Sequence, residues 1–297
     1  MRQYSSIDTT SNLDSQNPHK ESGKEPWKNL PKIEDFDFSN FEWRTEALSD
    51  IYRYSNYKVS YYRSNLSTHS KRVFFLAKFL KSEIYNMFPG VDMLKILAMS
   101  LVHDDVEILI GDFQSVNRLK MTPEQIAIID GNEEVAIGKI SEQFPKEISG
   151  YSYQELLLEV FQKNTIEAQI VKYLDHIDGF CEALHEIYAW NECFTTSPET
   201  EYGQVPIPPD YYIPRFSNPE KYYPLISSAI GIRMPFVRNF ERIDFELIAK
   251  NSSPHSAESI QTSSNYPLYD FWKNVIISSS CEEVASLLVV RSKKEIL

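Results

Sequence analysis

Two histidines, two aspartates and a further pair of carboxylates carry the chemistry legible in this sequence. His69 stands in a run that begins Leu66, Ser67, Thr68; His103 and Asp104 open a stretch that continues through Glu107 to Gly111 and Asp112; Asp175 sits among Ile170, Val171, Leu174 and Ile177. An unpaired carboxylate in such apolar company is costly, and so is a histidine beside an aspartate at the buried end of a helix, unless the charge is paired or ligates an ion. His69, His103, Asp104 and Asp175 together form a mixed nitrogen and oxygen donor set without thiolate. Such a set suits one divalent ion (Mn, Co, Mg, Fe or Zn) with coordination positions left for water or substrate. Glu107 and Asp112 are then placed to handle protons, and the whole reads as a hydrolase centre.

The elements that must position these groups read as helices. Leu94, Ile96, Leu97, Met99, Leu101 and Val102 predict a buried helix running up to His103, with Gly111 as its natural stop. Continued through that run, the helix puts His103 and Glu107 four apart and Asp104 and Glu107 three apart on one face, and turns Asp105 away toward solvent or a salt bridge. His69 falls in the first turn of a capped helix whose stripe is Val73, Leu76, Ala77 and Leu80. Asp178 is a rival to Asp175 for the fourth ligand position, and His185 reads as a surface or satisfied core histidine. Glu133 and Glu134 are expected to begin an amphipathic helix that buries Val135, Ile137 and Ile140, their charge favouring its N-terminus.

In order and approximate spacing, His69, the His103–Asp104 pair and Asp175 resemble the HD-domain metal-dependent phosphohydrolases. The likeness is nearer to the branch of bacterial 5'-deoxynucleotidase and its eukaryotic HD-domain relatives, over roughly residues 48 to 195. It rests on His69 with Arg72; on His103, Asp104, Glu107, Gly111 and Asp112; and on Glu167, Ala168, Val171, Lys172 and Asp175. The resemblance implies an all-α HD-domain bundle in which His69, His103, Asp104 and Asp175 bind the metal, and its register favours Asp175 over Asp178. It also implies that Glu107 positions or activates water, and that Asp112 contacts the sugar or acts as a second catalytic carboxylate. Ile51 to Tyr54 is similar to the family stretch that packs against the nucleotide: Arg53 matches, and Tyr54 stands where the family has tryptophan. Arg53, Arg72, Lys58 and Lys172 are the cations near the motifs. Arg53 is the first choice for the phosphate, while Arg72 and Lys172 are expected to anchor the carboxylates. A homodimer is a further expectation of the resemblance.

The remaining sequence sets limits. The formal net charge of −12 over 297 residues argues against a nucleic-acid backbone as substrate, which calls for a basic surface, whereas a small nucleotide needs only a local positive pocket. Cys181, Cys193 and Cys281 are too few and too unevenly spaced for a disulfide framework. With no apolar run long enough for a membrane span and no signal-peptide core, a cytoplasmic setting is expected. Residues 1–40 are expected to be a flexible tail, 41–195 the HD core, and 196–297 an extension with a C-terminal helix over Tyr269 to Val290 burying Phe271, Val275, Val284, Leu287 and Leu288. Prolines between Thr195 and Pro224 argue for an irregular, aromatic-rich excursion packed on the core and a candidate cover for the pocket mouth, and extended segments are expected only there. Asn251 to Asn265 reads as a flexible loop. The functions these features allow are a phosphohydrolase releasing phosphate from (deoxy)nucleoside 5'-monophosphates, a triphosphohydrolase of the same superfamily, and a nucleotide-binding regulator without turnover.

Overall fold

The computed structural model describes residues 29–41, 43–62, 64–144, 146–232, 235–236, 240 and 265–288. Most of the expected N-terminal tail and all but the last residue of the loop expected before Tyr266 lie outside these residues. The described residues of the expected tail lie on the core, where Phe36 is buried and Phe41 follows it.

Helices account for nearly all regular structure. In chain order they are α1 (Arg44–Asp50), α2 (Leu66–Phe79), α3 (Lys81–Met87), α4 (Met93–Val102), α5 (Glu107–Ile110), α6 (Pro123–Gln143), α7 (Tyr153–Gln162), α8 (Ile166–Tyr188), α9 (Pro208–Ser217), α10 (Pro219–Tyr222), α11 (Tyr266–Ser278) and α12 (Glu282–Ala285). Two small antiparallel hairpins complete the regular elements, β1 (Glu147–Ile148) with β2 (Tyr151–Ser152) and β3 (Glu199–Thr200) with β4 (Gly203–Gln204). The fold is all-α. None of the described helices is long and apolar enough to cross a membrane.

At the centre α2, α4 and α8 pack against one another, and α11 covers α2 and α8. Every residue of α8 from Ala168 to Tyr188 except Lys172 is buried. A helix buried all round is ordinarily apolar. This one carries Asp175, Asp178, Glu182 and Glu186, whose charges must find partners inside the bundle. Glu186 finds them in the backbone N–H groups of Tyr61 and Tyr62, the Ser60 hydroxyl and the Asn191 amide, so it ties the loop before α2 to the core. The other three face the site.

Five local expectations are corrected. The helix before His103 does not run on to Gly111: α4 ends at Val102, and the amides of Asp105 and Glu107 bond three residues back, to Val102 and Asp104, in tighter turns. The reason is Arg44, whose Nη2 donates to the Leu101 carbonyl while its Nε and Nη2 grip both oxygens of the fully buried Asp105 at 2.7 and 2.6 Å. That contact caps the end of α4 and pulls the next turn out of helical register. Second, the helix expected to start at Glu133 begins at Pro123 behind a Thr122 capping box, and Val135 on it is exposed. Third, an extended pair, β1 with β2, occurs before Thr195. Fourth, the proline-rich excursion contains a ten-residue helix, α9, because Pro208 and Pro209 occupy first-turn positions that need no N–H. Fifth, the last helix stops at Ser278. It begins earlier, at Tyr266, and Tyr269 and Trp272, not Phe271, are its fully buried aromatics; the Leu287 side chain and Val290 lie outside the described residues.

Candidate metal centre and substrate pocket

His69 projects from the fourth residue of α2, whose N-terminus is set by Asn65 accepting from the Thr68 amide at 2.9 Å. Facing it on α8 are Asp175, Asp178 and Glu182, spaced three and four apart on one side of the helix. His69 Nε2 lies 3.1 Å from Asp175 Oδ1, and its Nδ1 lies 2.7 Å from Asp178 Oδ2. His103, at the end of α4, brings its Nε2 to 3.1 Å from His69 Nε2, and its Nδ1 lies 2.9 Å from the Ser100 carbonyl. Asp104 Oδ2 is 3.4 Å from His69 Nε2 and 3.3 Å from His103 Nε2.

These contacts decide the protons. A carbonyl and a carboxylate only accept, so both Nδ1 atoms carry hydrogen and, in the neutral rings, both Nε2 atoms present lone pairs. Two lone pairs 3.1 Å apart, with carboxylate oxygens from Asp104 and Asp175 beside them, repel unless a cation or proton lies between them. His69, His103 and Asp175 offer ligand atoms all within 4.8 Å of one another. The donor set therefore fits a divalent ion, with Asp178 and the Ser100 carbonyl fixing tautomer and ring orientation from behind, as partners of metal-bound histidines do. Burial and the nearby Arg53 disfavour a charged His69, but Asp175, Asp178 and Asp104 outweigh them and raise its pKa; burial lowers that of His103.

Asp178 differs from Asp175 in what it touches. Its two oxygens accept from His69, from Arg72 Nε at 2.8 Å and Nη2 at 2.7 Å, and from the indole N–H of Trp272 at 2.7 Å. Arg72, fully buried, also reaches Glu182 at 2.9 Å and the Ser64 hydroxyl at 3.1 Å, so it is committed to carboxylates. Burial opposes ionisation of Asp178, yet Arg72 and His69 hold its carboxyl well below the usual range. Lys172 pairs with the second oxygen of Asp175. Burial, Lys172 and His69 act together on Asp175, and the cations win, lowering its pKa.

Beside this centre a pocket is lined by Arg53, Tyr54, Tyr57, Glu107, Asp112 and Tyr212, with Asp104, Lys172 and Asp175 at its floor. Arg53 Nε lies 3.3 Å from Glu182 Oε2, an ion pair without an aligned hydrogen bond, and Nη1 lies 3.9 Å from Asp104 Oδ2. Tyr54 adopts the left-handed φ of 57°, strained for an aromatic residue, and is held there by its hydroxyl donating to the Gly179 carbonyl and its ring packing on Phe194. Glu107 is on the wall with its Oε2 buried and unpartnered. Burial, then repulsion from Asp104 and Asp112, raises its pKa well above the carboxylate range. Burial, partly offset by Arg53, pushes Asp112 up to about 6. The free volume is only about 70 Å³, because Pro208, Tyr211 and Tyr212 of α9 stand over it.

The structure thus brings together His69, His103, Asp104, Asp175, Glu107, Asp112, Arg53, Tyr54 and Lys172, and sets Arg72 behind them. Lys58 is exposed and lines neither this pocket nor the chamber adjoining it. Sequence reading missed Glu182, Trp272 and Tyr212. The three-and-four spacing of Asp175, Asp178 and Glu182 in an apolar helix was a signal for the first. Nothing local marked the other two. His185 is a core histidine, its Nδ1 on the Tyr269 hydroxyl at 2.8 Å.

Among curated proteins none matches the chain. Of solved structures, one described as a conserved hypothetical protein from Pyrococcus furiosus is 21% identical, with a TM-score of 0.38 over 50% of this chain and 81% of its own. Another, described as a predicted metal-dependent phosphohydrolase from Magnetospirillum magnetotacticum MS-1, is 16% identical, with a TM-score of 0.37 over 81% of this chain and 90% of its own. The model of the YfbR-like 5'-deoxynucleotidase family matches residues 40–205, more than half of the sequence, and the chain belongs to that family.

Proposed function

We propose that this protein hydrolyses the 5'-phosphate ester of nucleoside or deoxynucleoside monophosphates at a divalent metal held by His69, His103, Asp104 and Asp175. Family membership carries the coarser half of this reading, a nucleotide phosphohydrolase of the HD type. The observation that supports the metal is the convergence of two Nε2 lone pairs at 3.1 Å, each with its Nδ1 proton already committed elsewhere.

A divalent ion in this position supplies acidified water and polarises a phosphoryl oxygen. The protein supplies the remainder. Arg53 faces the pocket and neutralises phosphate oxygens. Burial first, and then the neighbouring Asp104, raise both Glu107 and Asp112, so one proton is retained on the pair near neutral pH. Held on Glu107, that proton can pass to the departing ribose oxygen. The rings of Tyr54, Tyr57 and Tyr212 offer a wall for the nucleoside. A pocket of about 70 Å³ takes a phosphoryl group but is far below the size of ordinary ligand sites, so a whole nucleotide needs either the adjoining chamber or displacement of α9. The cytoplasm, where nucleotides and free thiols coexist, is the compartment this reading implies.

Phosphate release from a panel of nucleoside mono-, di- and triphosphates with Mn, Co or Mg tests the reading. Monophosphates should turn over, His103→Ala should lose both metal and turnover, and metal-loaded Glu107→Gln should lose about two to four orders of magnitude in kcat. Turnover at wild-type rate in Glu107→Gln would move the proton role to Asp112, and turnover in His103→Ala would remove the metal centre from the reaction.

A further inference from the structure

Next to the pocket, and sharing Asp104, Glu107, Lys172, His176 and Tyr211 with it, lies a larger chamber of about 400 Å³. Four cations face it: Arg118, Lys163, Lys172 and Arg215. Two are already paired, Arg118 with Asp130 at 2.5 Å and Glu133 at 3.4 Å, and Lys172 with Asp175. Lys163 and Arg215 make no ion pair among the described residues.

Both of these cations are held in place. Arg215 of α9 lies 3.3 Å over the Tyr211 ring and donates from Nη1 to the Tyr211 carbonyl at 2.6 Å. Lys163 ends α7 in the left-handed conformation, φ 55°, and its carbonyl accepts from the Gln169 amide at 2.9 Å. Three separate elements, the end of α7, α8 and α9, so direct Lys163, Lys172 and Arg215 into one chamber. Lys163 is exposed at the edge of the chamber, where desolvation by the surrounding wall and repulsion from Lys172, opposed by Glu133, bring its ammonium down to about 8. Asp104, Glu107, Asp130 and Glu133 face the same chamber, but Asp130 and Glu133 are paired with Arg118, so Lys163 and Arg215 keep donors open to an incoming anion.

We propose that the chamber is a second oxyanion subsite, in which Lys163, Arg215 and Lys172 take a phosphoryl group other than the one under attack. The proposal rests on the reading of the neighbouring centre as a phosphohydrolase. Two sources share this chemistry: inorganic phosphate leaving the centre, and the distal phosphate of a nucleoside di- or triphosphate.

Isothermal titration of the metal-loaded full chain with inorganic phosphate tests it. Two sites are expected in the wild type and one in Lys163→Glu. Lys163→Asn, which keeps the left-handed backbone that asparagine tolerates, should weaken the second site about tenfold or more. Kinetics separate the sources. If the subsite holds departing phosphate, product inhibition of monophosphate hydrolysis weakens in Lys163→Asn; if it holds a distal phosphate, KM rises for the triphosphate alone. A wild type with no phosphate site sensitive to Lys163, or two sites unchanged in both variants, overturns the proposal. Were the metal-centre reading wrong instead, no nucleotide would turn over, but the phosphate site sensitive to Lys163 would still be measured.

Discussion

Replacing Trp272 by phenylalanine probes how far the orientation of His69 depends on the C-terminal helix. The indole N–H donates to Asp178 Oδ1 at 2.7 Å inside a fully buried setting, and Asp178 in turn receives the His69 Nδ1 proton at 2.7 Å. A hydrogen bond to a buried charge is worth about 1.5–3 kcal/mol. Arg72 stays on both oxygens, so the carboxylate is not orphaned, and the global loss should be near this range with a small added cost for the smaller ring. Only part of it reaches the metal. Losing the direct partner of a ligating histidine costs about 10- to 100-fold in metal affinity, and Trp272 stands one residue further back. A fall of a few-fold, about 0.5–1 kcal/mol at 1.4 kcal/mol per decade, is therefore expected. Titration calorimetry with Mn measures the affinity, and urea denaturation of the metal-free chain measures the stability. Tyr269→Phe is the control, since Tyr269 lies on the same helix and touches His185 rather than Asp178. Equal losses of metal affinity in the two variants, or none in Trp272→Phe, would refute transmission through Asp178.

Two further outcomes follow from contacts around the site. Arg44→Met leaves the fully buried Asp105 without its cation and frees the Leu101 carbonyl, so urea denaturation should show a loss of about 3–5 kcal/mol, largely recovered when Asp105→Leu is added. Gly179→Ala drives a methyl into the Tyr212 hydroxyl, 2.9 Å from its Cζ and 3.1 Å from Arg53 Nη2, so the tyrosine must shift. The helix gains about 1 kcal/mol from alanine, while overpacking costs about 1–3 kcal/mol. Stability should then change little or fall slightly, KM should rise as Arg53 and Tyr212 are displaced, and Mn affinity should hold because no ligand is touched. A KM equal to wild type would show that this wall does not meet the substrate.

What the sequence disclosed about the candidate site was the set of donors that the fold brings together, because their types and order can be read without knowing the local backbone. His69 and Asp175 were placed on helices by apolar periodicity, and those helices, α2 and α8, are present. The path from His103 to Gly111 was misread for a physical reason. Its helical propensity and pattern are sound, but the break is imposed by Arg44, distant in sequence and visible only once α1 packs against the end of α4. The consequence is chemical. An uninterrupted helix would set Glu107 one full turn beyond His103, whereas the tight turns let Asp104 reach both Nε2 atoms and put Glu107 on the pocket wall with an unpartnered oxygen.

Proline content misled in the same way at α9, where first-turn positions remove the usual penalty and the helix carries Tyr211, Tyr212 and Arg215 to the edge of the site. Trp272 was beyond reach altogether. It lies outside the segment that the family matches, in a helix recognisable only as apolar, and its role depends on which carboxylate of α8 its indole meets. The extension therefore contributes to both sides of the centre: α9 closes the pocket from the front, and α11 steadies Asp178 from behind. The family match ends at residue 205, so neither α9 nor α11 lies within it.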